Sequence, residues 1–95
     1  MRGMAVGRAA RRSERQPRVV AVFGEEQAPR ALDLLELLEY AWHDCYREVT
    51  PSEAIVDDIL LLSEGRIERL IEMARLAVTD WRDVRLAAEY RRNRT

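Results

Sequence analysis

The sequence predicts an all-α fold, a small bundle of three or four helices in a single domain. Apolar residues recur at alternating intervals of three and four over two long stretches, residues 31–49 and 67–88, and this spacing is typical of helices with one buried face. Only one short segment has the composition of a β-strand, and the 95 residues suit one domain. The intervals also favour left-handed packing of the helices at shallow angles, about 20°.

The N-terminal part of the chain differs from the rest in charge. Residues 1–18 carry six arginines against Glu14 alone, a net charge of +5, whereas residues 19–88 carry seven arginines against fifteen acidic residues, a net charge of −8. Residues 1–17 also lack apolar periodicity. We therefore expect a disordered basic leader over residues 1–17 and a helical domain over residues 18–92.

Residues 19–23 follow this leader and are rich in β-branched and aromatic side chains between Pro17 and Gly24. This composition predicts a short extended segment. Because no second strand is predicted in the chain, such a segment would pair with its copy in another chain or lie across the helices.

The first predicted helix covers about residues 29–48. Pro29 suits the first position of a helix, because its missing N–H would have no partner there. The opposite face of the helix is charged and polar, so one stripe faces the core. That stripe consists of Ala31, Leu35, Leu38, Trp42, Cys45 and Val49.

Two further helices are predicted after a break at residues 49–50. Thr50 and Glu53 have the spacing of a capping box, which predicts a helix over about 51–62. Ser63 is a candidate N-cap for a helix that begins near residue 64. Thr79 and Asp80 are unfavourable inside a helix, so this last element is either continuous or broken, with Asp80 capping a fourth helix. Its apolar stripe is Ile67, Leu70, Ala74, Ala77, Trp81, Val84 and Ala88.

No catalytic, cofactor-binding or metal site is expected. Glu39 and the single histidine, His43, lie one turn apart and could supply two metal ligands, but the sequence has no second histidine to complete a di-iron set. Cys45 is two positions from His43, so the two side chains point to different sides of a helix and cannot form a catalytic pair. We expect a solvated His43 and a buried Cys45, and the sequence does not favour an enzyme.

The apolar stripes exceed what three short helices can cover, so the sequence favours a protein–protein interaction module, a homodimer that acts as an adaptor or regulator. The residues expected to provide packing and interface are Leu35, Leu38, Trp42, Trp81 and Val84.

Two alternatives come from different classes of protein. One is a regulator that associates with nucleic acid through its basic leader, and the other is an enzyme or metal-binding protein that uses Glu39 and His43. Apolar runs of at most five residues are too short to span a membrane. With one cysteine and no apolar signal segment, the expected location is the cytoplasm.

Overall fold

The computed structural model describes residues 7–94, and within them it confirms an all-α bundle without strands. The helices are α1 (Arg8–Phe23), α2 (Ala28–Tyr46), α3 (Glu53–Ser63) and α4 (Ile67–Asn93). The α3–α4 hairpin has the most extensive contacts, α1 packs on α2, and α2 also contacts α4. Their apolar faces meet in one core whose fully buried members include Val19, Leu35, Trp42, Ile59 and Leu70.

Two expectations about the N-terminal segment are wrong. Residues 8–17 are helical rather than disordered, and residues 19–23 continue the same helix instead of forming an extended segment. The remainder of the predicted leader, residues 1–6, lies outside the described residues. The buried residues of α1 are Arg11, Arg15, Val19 and Phe23, which are spaced by four. This spacing is helical, but half of the buried face is made of arginines, which a hydrophobic pattern counts as surface.

The helix starts also differ from the predicted caps. Ser52, rather than Thr50, is the N-cap of α3, and its hydroxyl oxygen accepts a hydrogen bond from Ile55 N at 3.3 Å. The predicted capping box of Thr50 and Glu53 therefore does not form. Ser63 ends α3 instead of capping α4, since its hydroxyl donates to the Leu60 carbonyl at 2.7 Å. Helix α4 begins only at Ile67.

Helix α4 is broken at Asp80, which decides between the two alternatives that the sequence left open. The backbone of Asp80 is extended (φ −159°, ψ 99°), so that residues 67–79 and 81–93 form two helical halves. The Asp80 carboxylate accepts a hydrogen bond from Arg82 N at 3.0 Å, as a capping residue does. The Tyr46 hydroxyl oxygen lies 2.9 Å from the carbonyl oxygens of both Ala77 and Val78, so its one hydrogen is shared between them. The break is thus anchored from α2.

The turn between α3 and α4 lies against the end of α1. Gly65 has φ 75°, and a Cβ atom at this position would come within 2.7 Å of the Val22 carbonyl oxygen. Glycine therefore serves two needs here, the left-handed backbone and the close approach of α1.

Candidate functional site

A buried carboxylate joins α1 to the rest of the bundle. The Glu39 side chain is fully buried in α2, and its oxygens accept hydrogen bonds from Arg11 (2.6 and 3.1 Å), Arg15 (3.0 Å) and the Thr50 hydroxyl (3.0 Å). Burial alone would raise the pKa of Glu39. The hydrogen bonds from Arg11 and Thr50 and the positive charges of Arg11 and Arg15 outweigh burial and hold this pKa below its ordinary value. Glu39 is thus ionised and fixes α1 in place.

The same arginines continue as a ladder of ion pairs along α1. Arg15 also donates to Glu53 at 2.8 Å, and Arg18 pairs with both Glu53 and Asp57. Although burial opposes it, hydrogen bonding to Arg15 and Arg18 lowers the pKa of Glu53. The remaining arginines of α1 are also paired, Arg8 with Glu39 and Arg12 with Asp33 and Glu36.

This ladder bears on the nucleic-acid hypothesis. All four arginines in the described part of the predicted leader already lie beside carboxylates of the same chain, and so does Arg18, the residue that follows it. Phosphate contacts need cations that are available to replace counterions. Within residues 7–18, the positive charge on which the hypothesis relied is paired with carboxylates of the bundle.

A second buried carboxylate secures the broken end of α4. The Asp58 side chain is 2% exposed and lies 2.8 Å from Arg92 Nη1 and 3.2 Å from Arg85 Nε. Both arginines belong to the half of α4 that follows the break. Together with buried Val84 and Ala88, these ion pairs hold residues 81–93 on α3.

An apolar groove of 370 Å³ lies between α2 and the first half of α4. Two of the side chains that line it are prominent at the surface, because Leu37 is 61% exposed and Ile71 is 38% exposed. Arg75 and Thr79 are the polar residues at its edge. The apolar lining includes Leu34, Leu37 and Ala41 from α2, and Ile71, Ala74 and Val78 from α4.

A row of exposed residues runs along α2 beside the groove. Arg30, Leu37 and Asp44 are all exposed and are spaced by seven positions, so they lie nearly in line along the helix. Within residues 7–94, neither Arg30 nor Asp44 has an ion pair or hydrogen bond from its side chain. We call Arg30, Leu37 and Asp44 the α2 row.

The structure places four of the five predicted interface residues in the core. Leu35, Leu38, Trp42 and Val84 are at most 4% exposed, whereas Trp81 is 39% exposed. Their packing role is evident, but buried side chains leave a partner little to contact. Leu37 was not predicted as an interface residue, because only the one apolar stripe of this helix that faces the core was considered. The signal was the run Leu34, Leu35, Leu37 and Leu38, which covers more of the helix than one core-facing stripe needs.

The candidate metal and thiol residues are not brought together. His43 is exposed, while the oxygens of Glu39 already face arginines and Thr50. In the described chain, no group of three or more His, Cys, Asp and Glu side chains has an arrangement that could hold a metal ion. Cys45 is exposed rather than buried, so that expectation is wrong. Helix α2 turns Trp42 and Tyr46 inward instead, and their rings lie 4.4 Å apart.

The proposal for the function of this chain rests on its geometry rather than on similarity to known proteins. No protein-family model, curated protein or solved structure matches the chain. Among the helices of residues 7–94, none combines the length and the apolar character that crossing a membrane requires.

Proposed function

We propose that the protein is a helical protein–protein interaction module that forms a homodimer and serves as an adaptor or regulator. The observation that carries this proposal is the apolar groove between α2 and α4, with Leu37 standing 61% exposed on its wall. Large exposed apolar patches on small proteins are typical of interaction sites.

An interface of standard size needs only a small share of the molecular surface. A standard interface covers about 800 Å² of each partner, and the whole chain exposes 6059 Å², so roughly an eighth of the surface would suffice. Complete burial of one leucine is worth about 1.5–3 kcal/mol. Leu37 and Ile71 therefore offer a substantial driving force on one face.

The chemistry of the groove supports a macromolecular partner over a small substrate. Sites for small molecules combine apolar walls with several convergent polar groups that fix orientation. Here the polar contribution comes from Arg75 and Thr79 at the edge. Among residues 7–94, no acidic side chain lines the groove beside Arg75, so the described lining holds no acid–base pair for proton transfer.

Sedimentation equilibrium over low to high micromolar concentrations tests this proposal. We expect a dimer for the natural chain and a shift toward monomer for Leu37→Glu, because the charge would be buried at the interface. Leu86→Glu is the matched control, since Leu86 is 63% exposed and does not line the groove. A natural chain that stays monomeric at high micromolar concentration would contradict the proposal.

We also propose a cytoplasmic location for the protein. The single cysteine of the sequence, Cys45, is exposed as a free thiol, and exposed free thiols suit a reducing compartment. We therefore place the homodimer in the cytoplasm. Fractionation of cells that express the protein would check this location.

A further inference from the structure

We propose that a second copy of this chain covers the groove, with its α2 lying antiparallel on α2 of the first copy and a two-fold axis at Leu37. This inference rests on the proposed homodimer and specifies its geometry. It follows from the positions and charges of the α2 row.

The helical rise fixes where the charges of the α2 row lie. Seven residues correspond to about 10.5 Å along a helix, so Arg30 and Asp44 lie at equal distances on opposite sides of Leu37. A two-fold axis through Leu37, perpendicular to an antiparallel helix pair, exchanges these two positions. Arg30 then faces the partner's Asp44, and Asp44 faces the partner's Arg30.

The charges distinguish this arrangement from a parallel one. In a parallel pair in register, Arg30 would face the partner's Arg30 and Asp44 would face the partner's Asp44, with repulsion at both ends. The antiparallel pair gives two opposite-charge contacts instead. Both side chains are available for these contacts, since neither forms an ion pair or hydrogen bond within the described part of its own chain.

The apolar contacts agree with the same axis. Leu37 stands between the two charges and on the wall of the groove, so the symmetric contact buries an apolar centre between polar ends. This is the usual anatomy of an interface, an apolar core with a charged rim. A two-fold contact also uses the same patch on both chains, which closes the assembly at two copies.

The exposed apolar face on the second half of α4 lacks these features. Leu86 and Tyr90 are 63% and 68% exposed in the second half of α4. The cavity beside Leu86 is lined by charged and polar residues, which are Arg85, Glu89, Arg92 and Asn93. That face therefore offers no apolar groove for a helix, and we assign the dimer contact to α2.

Charge reversal tests the arrangement. The variants are Arg30→Asp, Asp44→Arg and the double variant that carries both changes, each checked for native helicity by circular dichroism. Each single variant places like charges opposite one another twice, so we expect its dimer dissociation constant to rise at least tenfold. The double variant restores both opposite-charge contacts and should dimerise like the natural chain. Asp83→Arg, at another exposed acidic residue outside the α2 row, is the control and should leave the dissociation constant unchanged.

Mixing the two single variants gives the sharpest result. A chain with Arg30→Asp and a chain with Asp44→Arg complement each other at both ends, so a heterodimer should form where neither variant dimerises alone. Analytical ultracentrifugation or native mass spectrometry would detect it. If the single variants dimerise as well as the natural chain, or if the mixture and the double variant do not recover the dimer, this inference is overturned while the homodimer stands. A monomeric natural chain would overturn both.

Discussion

At the scale of single residues, Glu39 has the largest structural consequence. A helical glutamate with polar neighbours is ordinarily solvated, and from the sequence Glu39 was considered only as a candidate metal ligand beside His43. In the structure it is fully buried because arginines of α1 and Thr50 surround its oxygens. Leaving one partner of such a buried group unpaired is far more costly than losing a surface ion pair.

Replacement of Glu39 by glutamine should destabilise the fold strongly. The amide removes the negative charge that Arg11 and Arg15 share at a buried site, so we expect the free energy of unfolding to fall by about 3–5 kcal/mol. Urea denaturation followed by circular dichroism measures this change. Glu36→Gln is the control, because Glu36 pairs with Arg12 at a partly exposed site and should cost about 1 kcal/mol or less. Equal effects of the two substitutions would contradict the role assigned to Glu39.

The same residue sets the sign of the pH dependence. The pKa of Glu39 is lower in the folded protein than its ordinary value, which is about 4.3 in an unfolded chain. Its contribution to stability is therefore complete above that pH and is lost as the pH falls through 4.3 toward the folded pKa. Glu53 acts in the same direction. In urea titrations below pH 5, Glu39→Gln should show a smaller loss of stability on acidification than the natural chain does.

At the scale of helices, the break in α4 depends on a tyrosine from another element. The extended backbone at Asp80 interrupts the hydrogen-bond ladder, and the Tyr46 hydroxyl reaches the carbonyls of Ala77 and Val78 just before the break. Buried carbonyls need partners. The Tyr46 hydroxyl on α2 thus supplies a hydrogen-bond donor to carbonyls of α4 beside the break.

Tyr46→Phe should therefore lower the free energy of unfolding by about 1–2 kcal/mol, since it keeps the ring and leaves two carbonyls without this donor. Thermal or urea unfolding by circular dichroism gives the value. The matched control is Tyr90→Phe, at a tyrosine that is 68% exposed, where we expect no measurable change. A Tyr46→Phe variant as stable as the natural chain would show that water or a shifted backbone replaces the hydroxyl.

The helices also show which parts of the fold a sequence can predict. The spacing of apolar residues placed α2 and the two halves of α4 correctly, and even the break at Asp80 was among the stated alternatives. Helix α1 was missed because two of its buried positions are Arg11 and Arg15, whose burial depends on a carboxylate 24 or more residues away. The cap of α3 was misplaced for a similar reason. Glu39 accepts from Thr50, so a distant residue competes with the local capping box.

At the scale of the whole molecule, helix α1 is part of the bundle rather than an addition to it. It supplies Val19 and Phe23 to the core and the arginines that neutralise Glu39 and Glu53. The residues predicted at the interface lie in the core for a related reason. Once α1 covers its share of the core, Leu35 and Trp42 have almost no free surface, and the exposed large apolar side chains at the groove are Leu37 and Ile71. Periodicity alone could not show this, because it does not reveal which faces other helices cover.

Deletion of residues 1–18 tests this integration. We expect the shortened chain to lose cooperative unfolding, because Glu39 would lose its arginine partners and most of α1 would be absent, uncovering core residues of α2 and α3. Loss of helical circular dichroism beyond the share of the deleted residues, with binding of a hydrophobic dye, would report the change. Deletion of residues 1–6 alone is the control, since it removes none of α1 and none of the described arginines. If the chain without residues 1–18 unfolded as cooperatively as the full protein, α1 would be an appendage and the predicted leader would regain its support.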